Sequence, residues 1–546
     1  MAVRNQLTAE DPMGRWDTVR DLIAAVLLVA GLLLPWNLYS GVGIPGSSGT
    51  LFAVLGAVTL LSLISVALTF GTKTQNDRRR LLLNIPYLLL VLAFIGFDAF
   101  ETVRFGGSVT VPGGAGPGAW AGLAGALLSA QPVIAGAATT PAGDNRFGGW
   151  QKAAKFIGYA SMAGAVLSVA FNLYWRLKYA LHPTGGATND FGKQNIAVIA
   201  TALVYGVVAL VAVLVGSRWI VRNTKAAQLA VSALGLSTLL GGTIVWLLPA
   251  GRDIDAFHGI AQNTSTAGVG FEGYLAWAAA AAIFAPRTLF GHRNTSAGDE
   301  NAWRAAARNG LVLITVWCLG SVLMRITDVV IAVMLNYPYS RYDTLMLAAF
   351  DLATAVLAIW LRINLGNDSV SARLITALCG LVATLSIARV IVGVELAPRF
   401  SEAPNQVQHP VYGNDLAQQI TSTFDVVLCL LALGILVAAV ITGQLTARRL
   451  RRLQRRRRPV AHKRSAQPAP GTSAPTTRIR VGGGAAPPSG AATTVIRTGI
   501  PSADATSAMP RQGGAPRIFR GDDSATRQIS IPKPRIFRPP SDSNGG

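Results

Sequence analysis

Charged residues are scarce in this sequence. Lys, Arg, Asp and Glu make up 14% of its 546 residues, where soluble domains average about 25%. Hydrophobic residues reach 51% and the mean hydropathy is +0.42. That balance excludes an ordinary soluble domain and points to a polytopic membrane protein. Cysteine is scarcer still. Cys318, Cys379 and Cys429 all fall in apolar runs without CxxC spacing, so neither a disulfide framework nor a zinc site is signalled. They read as small packing residues. The five histidines (His182, His258, His292, His409 and His462) lie in connections or in the tail without metal-ligand spacing, so neither metal nor cofactor is expected. No GxxxxGK[ST] run exists to cradle nucleotide phosphates, which excludes a built-in ATP motor.

Long hydrophobic runs are what the chain has in abundance. The first, Leu22–Leu34, continues into Pro35-Trp36-Asn37-Leu38-Tyr39 rather than a small-residue cleavage site. Asp17 and Asp21 sit where a signal peptide would be basic, so the run reads as a retained span. Further runs follow at 51–70, 81–100, 118–136, 156–174, 195–216, 227–248, 270–286, 311–335, 344–361, 374–394 and 420–445. Each approaches the roughly 20 residues that cross a bilayer. The runs 118–136 and 270–286 are the weakest, being rich in Gly and Ala. In the first of them Gly118, Gly122 and Ala126 form one small-residue stripe, and Ala121 and Gly125 an adjacent one.

The connections carry an orientation signal. With the N-terminus inside, the inner segments before the tail hold 19 Lys/Arg and the outer ones 7, as the positive-inside rule requires. The expected fold class is therefore all-α: a polytopic transmembrane helical bundle of about twelve spans, both termini cytoplasmic. It occupies residues 1–445, and residues 446–546 follow as a disordered basic tail. The connections are short, the longest being about 25 residues (Glu395–Gln419).

Five charges interrupt the last four runs: Arg325, Asp328, Asp351, Arg389 and Asp425. Each costs about 2.5–3.5 kcal/mol in hydrocarbon, so it must be paired or face a wet cavity. At a rise of 1.5 Å per residue, Arg325 lies roughly 15 Å from the outer end of its span, Asp328 and Asp351 roughly 10 Å, and Arg389 and Asp425 roughly 8 Å. All five fall in one outer-leaflet layer. Arg325 and Asp328 are three apart on one helix and can pair. That leaves Arg389 against Asp351 and Asp425. Phe350-Asp351 and Phe424-Asp425 each follow a helix that carries one of the two arginines, which suggests a helix pair used twice, with Phe97-Asp98 as a faint third copy. Two readings stand side by side. The charges are ion pairs that lock four helices, or they line a cavity where Asp351 or Asp425 takes a proton, cation or head group and Arg325 or Arg389 steadies an anion.

From Thr446 onward there are 20 Lys/Arg and four Asp, which is +16 of the total +22 and leaves +6 for the membrane body. Arg448, Arg449, Arg451, Arg452, Arg455, Arg456, Arg457 and Arg458 follow the last apolar run. Beside an anionic inner leaflet each contributes about 1 kcal/mol of attraction. Beyond them the chain is rich in Pro, Gly, Ser and Thr, and it repeats Pro516-Arg517-Ile518-Phe519-Arg520 at Pro534-Arg535-Ile536-Phe537-Arg538. Such a tail suits docking by cytoplasmic partners and phosphorylation by a kinase. Nucleic acid is a poor fit, since there is no folded reader and little aromatic stacking.

The first outer connection, Ser40–Thr50, lacks the acidic residues usual in lipid-sugar-dependent glycosyltransferases. Gly71–Arg80 lacks the internal glycine and spacing of the major-facilitator loop. The stretch Leu34-Pro35-Trp36-Asn37-Leu38-Tyr39-Ser40-Gly41-Val42-Gly43-Ile44-Pro45-Gly46 and the basic Pro/Thr tail resemble uncharacterised polytopic integral membrane proteins of mycobacteria and related actinobacteria. The resemblance implies a bacterial plasma membrane and an envelope context, and it assigns no activity to any residue. The expected role is non-enzymatic: transport or handling of a small solute or envelope lipid through the charged layer. The alternative is a scaffold or regulator whose tail recruits cytoplasmic partners.

Overall fold

A computed structural model of the chain describes residues 12–36, 49–71, 77–105, 114–132, 143–181, 191–222, 224–248, 269–290, 296–336, 341–367, 369–401 and 423–457. Among them are twelve α-helices and no strand. They are α1 (Pro12–Leu33), α2 (Gly49–Gly71), α3 (Asp77–Phe105), α4 (Pro117–Ala130), α5 (Gly143–Leu181), α6 (Lys193–Val221), α7 (Lys225–Leu247), α8 (Gly270–Phe290), α9 (Ser296–Met334), α10 (Arg341–Asn364), α11 (Ala372–Ser401) and α12 (Thr423–Arg457). Each of the twelve apolar runs lies on a helix. Nine of the helices are long and apolar enough to cross a membrane: α2, α3, α5 to α7 and α9 to α12. The other three are α1, α4 and α8. The described residues are all-helical, with the multi-pass character of a membrane protein.

Consecutive helices pack in three sets of four, and the sets meet chiefly on α4, α7 and α8, with α6 also packing against α9. These central helices explain the weak sequence signal of two of them. In α4 every residue except Leu123 is buried, and Tyr274 to Phe284 of α8 are buried without a break. A helix wrapped by other helices touches no lipid, so large apolar side chains are replaced by small ones that let backbones close up. A Cβ on Gly122 would lie 1.9 Å from the Tyr87 hydroxyl, one on Gly118 2.3 Å from the Leu34 carbonyl oxygen, and one on Gly125 2.9 Å from Leu28. Both small-residue stripes of α4 are therefore contact surfaces, against α1 and α3.

The ends of α4 follow from local chemistry. The expected run to 136 is cut short at Ala130, because Gln131 precedes Pro132 and is extended at φ −72°, ψ 151°, the backbone region that a following proline favours. At the other end no side chain caps the helix. The amides of Gly116 and Gly118 instead donate to the carbonyls of Trp36 and Pro35, at 2.8 and 2.9 Å. Gly114, at φ 97°, donates its amide to Asp98 Oδ1 at 2.7 Å. Without water, such groups must find partners inside the protein. The α6–α7 turn is closed by Thr224, whose hydroxyl accepts from the Ala227 amide at 3.3 Å, an ordinary N-cap.

Replacing Gly122 with Ala should lower the thermal unfolding temperature in detergent, because the buried Tyr87 ring must be displaced. The same change at Gly380 or Gly434, where a Cβ meets nothing within 4 Å, should be neutral or stabilise by up to about 1 kcal/mol. Equal effects at all three positions would contradict the close packing of α4.

Candidate functional site

The last four helices bring four of the five expected charges together. In α9 and α10 the antiparallel pairing sets Arg325 opposite Asp351, and Arg325 Nε donates to Asp351 Oδ2 at 3.0 Å. In α11 and α12 the same arrangement sets Arg389 opposite Asp425, at 2.7 Å from Nη1 to Oδ1. Arg389 also joins the two hairpins, with Nε 2.5 Å from Asp351 Oδ1 and Nη2 donating to the Ser321 hydroxyl at 3.1 Å. Ser321, one helical turn before Arg325, donates in turn to Asp351 Oδ2 at 2.7 Å. Trp317, one turn further back, donates Nε1–H to Asp425 Oδ1 at 2.5 Å. The four charged side chains are 0 to 6% exposed.

The result is a charge-balanced chain, Arg325–Asp351–Arg389–Asp425, that closes on itself. Arg389 stands between the two aspartates, as its position opposite both suggested. Asp328 takes a different direction: it accepts a hydrogen bond from the Tyr205 hydroxyl of α6. Arg325 pairs with Asp351 across the hairpin, and its charge also acts on Asp328 on its own helix.

The repeated helix pair is present in the charges and absent in the aromatics. Phe424 is fully buried and packs edge-on against Trp317 at 4.6 Å. It also contacts Trp277 and Tyr274, and Tyr274 stacks on Trp120 of α4 at 4.8 Å. Phe350 is only half-buried. The third copy does other work, since Asp98 holds the approach to α4 and Phe97 is 61% exposed.

A second buried network escaped the sequence reading. Asp21 receives Arg20 at 2.8 Å and Arg80 at 2.7 Å, and Arg20 also contacts Asp17 at 3.4 Å. Arg20 Nη1 donates to the Pro132 carbonyl at 2.8 Å, and Arg80 Nε to the Ser129 carbonyl at 2.8 Å. Asn84 links Ser129 and Ser65 beside them. Arg20 and Arg80 counted as loop charges facing the membrane surface, yet they are 1% and 3% exposed. The available signal was Asp17, three residues before Arg20, and Asp21 directly after it. Glu272, in the first turn of α8, was missed as well. Its carboxylate accepts from Ser168, and its carbonyl accepts from Ser161 at 2.8 Å.

The expected packing role of the cysteines agrees with their state: all three are free and buried. Among the described residues no group of His, Cys, Asp and Glu is arranged to hold a metal ion. The five histidines lie outside the described residues. Helix α12 runs twelve residues past Leu445 to Arg457, so Arg448, Arg449, Arg451, Arg452, Arg455, Arg456 and Arg457 stand on a helix. Arg458 and the remaining tail, including the Pro-Arg-Ile-Phe-Arg repeat, lie outside the described residues.

Residues 17–444 match the model of a family described as a domain of unknown function, DUF7937, and the chain belongs to that family. No curated protein and no solved structure matches it.

Removing one partner from a buried ion pair costs about 3–5 kcal/mol. Asp351→Ala, which strips a shared carboxylate from two arginines, should therefore destabilise the detergent-solubilised protein by that order. Arg80→Ala should do the same at the other network. Arg104→Ala, which breaks a 3.9 Å contact to Glu101 from a side chain 62% exposed, should cost about 1 kcal/mol or less. Thermal unfolding of the three variants gives the ranking.

Proposed function

We propose, with membership of that family of unknown function as the premise, that this chain is a twelve-span protein of a bacterial plasma membrane, with both termini cytoplasmic. Its last four helices handle a small solute or an envelope lipid, without catalysis. The observation that carries this reading is the closed chain Arg325–Asp351–Arg389–Asp425, where α9, α10, α11 and α12 meet. Four charges are a costly way to hold helices in lipid. Apolar residues of similar volume pack as well or better, so stability alone does not call for them. Charges suit a contact that opens, because parted carboxylates and guanidinium groups can be hydrated. The network then acts as an outer gate, shut in this conformation. The excess of Lys/Arg on the inner connections supports the orientation, and the arginines after Leu445 place the end of α12 against anionic head groups of the inner leaflet.

The closure itself favours a second reading. A network so fully paired also serves as a permanent fastening, and the chain is then a scaffold whose tail, Thr446–Gly546, recruits cytoplasmic partners or a kinase.

Two experiments separate the readings. A Ser321→Cys variant should react slowly with a membrane-impermeant thiol reagent added from outside, and faster when Asp351→Asn weakens the gate. A chain with Arg325, Asp351, Arg389 and Asp425 all replaced by neutral residues should fold but fail to complement a deletion strain. One lacking Thr446–Gly546 should retain at least part of its activity. A Ser321→Cys variant that stays unreactive, a neutral chain that complements and a tail deletion that does not would together establish the scaffold.

A further inference from the structure

The four helices that close at the charged end do not close at the other. A cavity of about 90 Å³ lies there, lined by Trp303, Arg304 and Ala307 of α9, Ile375 and Cys379 of α11, and residues of α12 that include Ala439 and Thr442. Along α9 it is 18 or more residues from Arg325, which is roughly 27 Å or more at 1.5 Å per residue. Along α12 it begins ten residues beyond Asp425, at Ile435. It therefore sits at the opposite membrane interface from the charge network.

Its chemistry is two-sided. The inner wall is aliphatic, while Arg304 and Trp303 come from the part of α9 that precedes its apolar run. Arg308 reaches to 3.6 Å from the Cβ position of Gly366, and Arg308, Arg362 and Arg373 are exposed around this end of the bundle. Asp368 lies outside the described residues. The space holds about three water-sized groups, too few for a whole amphiphile and enough for the first methylenes of an acyl chain. Aliphatic wall, interfacial Trp and surrounding Arg are the combination that meets the junction of head group and chain.

We infer that this crevice binds an anionic phospholipid from the leaflet on the arginine-rich side, with its phosphate on Arg304 and the start of one acyl chain against Ile375, Cys379 and Ala439. The site deepens the reading of α9–α12 as a lipid-handling unit and rests on it for its meaning. Binding itself is measured separately from gating.

The test is native mass spectrometry of the full chain in detergent with added short-chain phosphatidylglycerol or phosphatidylcholine. Phosphatidylglycerol should bind more tightly. Arg304→Gln should weaken it about fivefold, the loss expected for one basic residue at an anionic head group. Ala439→Trp, which fills the crevice, should abolish the preference, whereas Arg104→Gln should leave it intact. In the unaltered chain, phosphatidylglycerol should slow methanethiosulfonate modification of Cys379, while phosphatidylcholine and inorganic phosphate should not. This second measurement decides the matter if Ala439→Trp fails to fold. Equal binding of the two lipids, unchanged binding in Ala439→Trp, or protection of Cys379 by inorganic phosphate would overturn the site and leave the Ser321→Cys gate test standing. Selective lipid binding together with an unreactive Ser321→Cys variant would retain the site and retire the gate.

Discussion

One carboxylate, that of Asp351, sets the arrangement of the last four helices. Its Oδ2 accepts from Arg325 and Ser321 of α9, and its Oδ1 meets Arg389 of α11. Arg389 then carries the chain of charges to Asp425 of α12, and Trp317 of α9 closes it. In this conformation the charged side chains are 0 to 6% exposed, so each depends on its partners within the protein. Turning any of these helices by one residue, about 100° at 3.6 residues per turn, would carry its charge off the network. The four helices are thereby fixed in rotation and in depth as well as in proximity.

The centre of the protein is held differently. There α4 and α8 carry small residues, and contacts close to backbone distance do what ion pairs do elsewhere. A Cβ on Gly235 would lie 2.3 Å from the Trp277 carbonyl oxygen, and one on Gly242 2.4 Å from the Trp120 ring. Glycine is needed at Gly235 because the Trp277 backbone and the Ala281 side chain occupy the space, and at Gly242 because the Trp120 ring does. Phe424 joins the two regimes. Its ring belongs to the aromatic group around Tyr274 and Trp277, and the next residue, Asp425, belongs to the charge network. Mechanical change at the network therefore has a packed path into the core.

How much of this the sequence disclosed depended on what each pattern measures. Hydrophobic runs report exposure to lipid, so the outer helices were plain, while α4 and α8 looked weak for the same reason that they are central. That Arg325, Asp351, Arg389 and Asp425 share one level of the bundle was legible, because rise per residue converts position into distance along each helix, and the four do meet. Partner choice was not. Spacing along one helix pointed Arg325 at Asp328 and said nothing of the partners across helices, Asp351 for Arg325 and Tyr205 for Asp328. Arg20 and Arg80 were misjudged because charges that flank apolar runs serve as orientation signals, and a count of flanking charges is blind to Asp21 lying between the two.

The two buried networks are alike in composition, two arginines and two aspartates each, and lie at opposite ends of the bundle. Their partners distinguish them. In the first, Arg20 and Arg80 donate to the carbonyls of Pro132 and Ser129, at and just beyond the end of α4, where a helix leaves its last carbonyls without internal partners. Breaking that network would leave backbone groups of a central helix exposed to a dry interior, so it behaves as part of the fold. In the second, the contacts shown run from side chain to side chain: arginine, aspartate, serine and tryptophan. Those groups can part by rotating about side-chain torsions while every helix keeps its own hydrogen bonds. If either network moves during function, it is the one on α9 to α12.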